Sequence, residues 1–176
     1  HDNRTGKLYL NHDPGTGDDL EEYLQHYKHR FIIFNIKEAG TEQRCIDLAA
    51  KYGISKSDYF LLDVEFPYIY RAAGFANRQK ILANDPSIDK SKLVSEIAVR
   101  FSEAEPISQA LALKGLVNWV WIDVNTKLPL DAEIVEQLQG FKLCLVCPER
   151  WGRPQDIPMF VAQLKDLNLE LDAVMT

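Results

Sequence analysis

Two sets of chemically capable side chains stand out in this chain of 176 residues. His12 and Asp13 close an alternating segment, GKLYLNHD (6–13), and precede Pro14-Gly15-Thr16-Gly17, a run suited to tight turns. An exposed imidazole in such a loop suits proton transfer, with a plain surface histidine in a turn as the alternative. His26 and His29 fall on the polar side of a helical pattern and are read as solvated. The second set comprises Asn35, Lys37, Asp63, Arg100, Glu103, Asp123 and Glu149, each near the C-terminal end of an apolar run. Lysine and arginine are seldom placed among Ile, Phe and Val without a partner. Lys37 and Arg100 therefore either pair internally with Asp63, Glu103 or Asp123, or jointly grip an anion such as phosphate. Their recurrence at strand ends favours the second reading, a lined mouth. Arg150 and Arg153 flank Trp151-Gly152 in PERWGRP, which either frames a polar headgroup or is a rigid turn around a packed Trp.

The elements that must position these groups are six apolar runs, each followed after roughly a helix's length by the next. They are FIIFNIK (31–37), YFLLDV (59–64), IAVRFSE (97–103), VNWVWIDV (117–124), KLCLVCPE (142–149) and LELDAVMT (169–176). Helical patterns are expected over 18–29, 42–52 (capped by Thr41 and stopped at Gly53), 67–74, 106–114, 130–139 and 154–168. Strict alternation of this kind predicts an α/β fold of the (β/α)8 TIM-barrel type, in which strand ends converge on one mouth. A whole barrel takes about 250 residues, so residues 1–176 are expected to form a single partial barrel domain lacking its first two strands. Segment 6–13 reads as the second arm of a hairpin whose first arm lies upstream of His1. Segment 74–96 has no convincing period and reads as an excursion on the barrel, with a mobile lid as the alternative.

Composition narrows the class. With 46% hydrophobic and 26% charged residues, the chain can bury a real core in one domain. A net charge of −6 argues against a nucleic-acid backbone as the main partner. No apolar run approaches the ~20 residues that a bilayer span needs. Cys45, Cys144 and Cys147 are an odd set without the spacing of a secreted framework, which points to a reducing, cytoplasmic setting. The C-x-x-C at 144–147 lies within a strand, where positions three apart face opposite sides, so its cysteines are read as structural.

KLYLNHDP, the helical pattern DDLEEYL and a strand ending N-I-K together resemble the glycerophosphodiester phosphodiesterase superfamily, barrel enzymes allied to phosphatidylinositol-specific phospholipase C. RFSEAEP, WVWIDV, LCLVCPERWGR and DAVMT look like an uncharacterised, bacterial branch of it. The resemblance implies hydrolysis of a small phosphodiester of glycerophosphodiester type in lipid metabolism, using two histidines and a divalent cation, Mg²⁺ or Ca²⁺, held by carboxylates. His12 would be the second histidine, the general acid towards the leaving alkoxide. Lys37 would hold the phosphoryl oxygens, and Asp63, Arg100, Glu103, Asp123, Glu149 and Arg153 would contact the substrate. The family's other histidine, in H-R-G, and most metal carboxylates would precede His1, so this stretch alone is expected to be inactive. Asn35 stands where the family often has a metal-binding Glu, and an amide is a weaker ligand for a hard cation. That departure motivates an alternative, a non-catalytic barrel that binds a phosphorylated metabolite or sugar headgroup. A third expectation is a lyase that uses Lys37 as a Schiff base.

Overall fold

A computed structural model of the chain describes residues 1–2, 4–13, 16–72, 85–87 and 96–176. A small antiparallel pair, β1 (Tyr9–Leu10) and β2 (Asp18–Asp19), leads into helix α1 (Leu20–Gln25). Then strands and helices alternate: β3 (Ile32–Asn35), α2 (Glu42–Lys51), β4 (Tyr59–Leu62), α3 (Phe66–Ala72), β5 (Ile97–Phe101), α4 (Ile107–Ala112), β6 (Trp119–Ile122), α5 (Ala132–Leu138), β7 (Lys142–Val146), α6 (Ile157–Asp166) and β8 (Ala173–Met175). The last six strands form one parallel sheet in sequence order, β3-β4-β5-β6-β7-β8. Registers such as Phe34↔Leu61, Arg100↔Trp121 and Trp121↔Cys144 fix which side chains stand abreast.

Period-2 alternation divides the strands' side chains between two layers. Tyr59, Leu61, Val99, Phe101, Val120, Ile122 and Leu143 face the helices and form the larger core with Leu20, Ala49, Leu113 and Phe160. Phe60, Leu62, Ala98, Trp119, Trp121, Cys144 and Val146 pack on the other side, with Phe31, Ile33, Ala173 and Met175 partly buried against them. The two layers explain why β4 and β6 are buried at every position and read as unbroken apolar runs. Curvature follows from one contact: three strand spacings in a flat sheet separate β3 from β6 by about 14 Å, yet the Phe31 and Trp119 ring centroids are 5.4 Å apart. The sheet is a curled half-barrel with the aromatic cluster inside, as in an incomplete (β/α) barrel.

Several expectations change in detail. The partner of segment 6–13 lies downstream, because β1 pairs with β2 and Leu20 N donates to Leu8 O at 2.9 Å. Gly17 makes this return possible: its φ is +119°, and a Cβ there would sit 2.4 Å from Leu10 O. The helix expected from residue 18 starts at Leu20, since the Asp19 carboxylate accepts from Glu21 N at 2.8 Å and serves as its N-cap. Thr41 occupies the N-cap of α2 without a capping bond from its side chain; its hydroxyl donates to Glu38 O at 2.7 Å. The segment 154–168 divides into a short 3-10 turn, Pro154–Asp156, and α6. Segment 74–96 lies almost wholly outside the described residues.

Candidate functional site

Four of the nominated residues meet at the C-terminal ends of β3 to β6. Lys37 Nζ donates to Asp63 Oδ2 at 2.9 Å. Arg100 forks onto the same carboxylate, Nε to Oδ1 at 2.6 Å and Nη2 to Oδ2 at 3.2 Å, while its Nη1 reaches Asp123 Oδ2 at 2.5 Å. Its guanidinium also lies over the Trp121 ring, 5.8 Å from the centroid. Of the two readings of Lys37 and Arg100, the structure displays the internal ion pairs. The pairs leave capacity: Lys37 spends one of three N–H donors on these carboxylates and Arg100 three of five.

Arg100 and Asp123 face inward by simple alternation from Ala98 and from Trp119 and Trp121. Asp63 does not, because Leu62 is inward and the next residue would face the helices. Its backbone adopts φ +63°, one of two positive-φ non-glycine residues described, and this turn brings its carboxylate to Arg100 and Lys37. Asp tolerates that conformation better than bulkier residues. Partial burial pushes the Asp63 pKa up, but the hydrogen bonds from Arg100 and Lys37 outweigh it and hold the carboxyl below its ordinary value.

His12, Asn35 and Lys37 line one open pocket of about 670 Å³. Every residue from Ile32 to Lys37 contributes to it, from both faces of the strand, so the pocket runs along the edge of β3 that pairs with no other strand among the described residues. His12 is exposed on a loop braced by Asn11, whose Nδ2 donates to Thr16 Oγ1 at 2.7 Å and whose Oδ1 accepts from Asp13 N at 3.2 Å.

The remaining nominees do not join the four charges. Glu103 accepts from Thr126 N, Thr126 Oγ1 and Lys127 N at 2.8–2.9 Å. Burial works to raise its pKa, but these bonds and one from its own backbone pull it down to about 2. Arg153 donates to Val124 O, to Thr126 O at 2.7 Å and to Asp156 at 2.6 Å. Both thus clamp the loop after β6. Glu149 lies in the 3-10 turn Pro148–Trp151, and its buried Oε2 accepts no hydrogen bond within the described residues. Trp151 is half-exposed, so it is not a packed anchor of that turn. Cys144 is buried in the inner cluster and Cys147 is half-buried beyond the strand end; both are free thiols, and burial pushes Cys144 up to about 12. Sequence reasoning missed Trp121 as the surface beneath Arg100; its spacing of two from Asp123 in VWIDV was the available signal.

A divalent cation of the kind the resemblance implies takes several hard oxygen ligands. Among the described residues no group of three or more His, Cys, Asp or Glu is placed to hold one. Asp63 and Asp123 already accept from Arg100, and Asn35 brings a neutral amide. These residues do not by themselves fit the cation. Among the described residues no helix is long and apolar enough to cross a membrane. Comparison with models of known protein families gives no match, and no curated protein matches the chain.

Proposed function

We propose that this mouth belongs to a (β/α)8 barrel whose two further strands pair with the open edges at β3 and β8, and that the barrel hydrolyses a phosphodiester of glycerophosphodiester type. The observation that carries the reading is the placement of His12 and Lys37 on one pocket beside the paired charges of Asp63, Arg100 and Asp123. Lys37 turns its unspent donors to the non-bridging phosphoryl oxygens, where negative charge grows during displacement at phosphorus. His12 gives its proton to the departing alkoxide oxygen as the P–O bond breaks, while the attacking water forms the new P–O bond and releases a proton to bulk solvent, from which His12 is reprotonated.

Leaving groups separate this role from a structural one. In the complete barrel, His12→Ala is expected to lower the rate on a glycerophosphodiester by about 10²–10⁴-fold, with a much smaller loss on bis-(p-nitrophenyl) phosphate, because nitrophenolate departs without a proton. Equal losses on both, or none on either, would remove His12 from the acid's role; the assays include Mg²⁺ or Ca²⁺.

A second reading, a non-catalytic barrel that holds a phosphorylated metabolite or sugar headgroup, is favoured by the amide at Asn35 and by the engagement of both mouth carboxylates with Arg100. Calorimetric binding of a phosphodiester without turnover, lost in Lys37→Ala, would select it.

A further inference from the structure

We infer that Asp63 sets the charge of the ligand this mouth accepts, favouring phosphodiester monoanions over phosphomonoester dianions; the inference rests on the reading of the mouth as a phosphoryl site. Lys37 and Arg100 are the two cations of the network, and Asp63 and Asp123 cancel them. A bare pair of cations would prefer the more highly charged phosphate. Here the carboxylate that touches both is Asp63, 2.9 Å from Lys37 Nζ and 2.6 Å from Arg100 Nε. A phosphoryl group that reaches Lys37's free donors must therefore approach the Asp63 carboxylate. One ligand charge meets a site with no net charge, and a second meets mainly the repulsion of Asp63.

The backbone supports a dedicated role. Alternation alone would point residue 63 at the helices, and φ +63° is what delivers the carboxylate to the mouth. Cationic side chains about one third exposed, Lys37 at 36% and Arg100 at 32%, remain open to a ligand from solvent, while Asp123 is nearly enclosed at 9%. Of the two carboxylates, Asp63 is thus the one an incoming anion meets.

The test compares dimethyl phosphate, a monoanion, with methyl phosphate, a dianion at about pH 8 because its second pKa lies near 6. Calorimetric titration of wild type and Asp63→Asn gives the ratio of the two affinities; Asn tolerates the left-handed backbone as Asp does. The expected result is a shift of about tenfold in that ratio towards methyl phosphate. A smaller shift in the same direction is expected in Asp123→Asn, which keeps the inference testable should Asp63→Asn not fold. An equal change for both ligands would overturn it, leaving Asp63 as an aligner of Lys37 and Arg100. Failure of wild type and both variants to bind either ligand would instead strike down the phosphoryl reading itself.

Discussion

The inner face of the sheet has two ends made by the same strands, and they are built on opposite principles. At the N-terminal end, Phe31, Phe60 and Trp119 pack with ring centroids 4.9–5.6 Å apart, and Lys142 covers the Trp119 ring from 5.2 Å. At the C-terminal end, Lys37, Asp63, Arg100 and Asp123 satisfy one another instead. The change occurs within single strands: β5 passes from Ala98 to Arg100, and the β6 run from Trp119 through Trp121 to Asp123. Apolar burial is non-directional and tolerates repacking, whereas a charge network works only with its partners in place. Apolar burial is thus concentrated at one end and paired charge at the other.

The largest expected effect comes from Trp119→Ala, which empties the aromatic end and should cost about 3–5 kcal/mol in denaturant unfolding. It should leave phosphate-ester affinity unchanged in the folded fraction; lost affinity would mean the two ends are one unit. Arg100→Leu is expected to cost less, about 2 kcal/mol, because it strands the nearly enclosed Asp123 carboxylate but removes a guanidinium that is one third exposed. Unlike Trp119→Ala, it should also abolish ester binding.

Acidification comes next. Asp63 and Glu103 are held below their ordinary values, so their contribution is complete above the unfolded carboxylate range near pH 4–4.5. It is lost as pH falls through the folded values, about 2 for Glu103. Unfolding free energies measured between about pH 5 and pH 2 should therefore decline, and Glu103→Gln should flatten the lower part of that decline. The smallest effect on stability is that of His12→Ala, expected within about 0.5 kcal/mol because the side chain is exposed. A larger loss by thermal unfolding would assign His12 to the framework of the hairpin rather than to the pocket.

Much of this architecture was legible because parallel strands buried on both faces must read as apolar runs, as YFLL and WVWI do. Arg100 and Asp123 were legible at the mouth by the same period of two that separates them from Ala98 and Trp121. Glu103 shares the parity of Phe101 and was absorbed into a loop, which alternation could have foreseen. Asp63 escaped alternation because a single backbone torsion overrides it, and no residue pattern in LLDVEF announces φ +63°. The hairpin's partner was misjudged because Asp18-Asp19 has poor strand propensity, and the turn at Gly17 outweighs it. Whether His12 shares a pocket with Lys37 depends on that fold-back, a non-local matter.

The outermost strands carry a consequence for handling the molecule. Among the described residues, one side of β3 and one side of β8 pair with no further strand, and Val174 stands 53% exposed beside the second. Such rims template cross-chain strand addition, so this polypeptide, handled in isolation, is expected to scatter light increasingly with concentration and to be quietened by a lysine introduced at Val174.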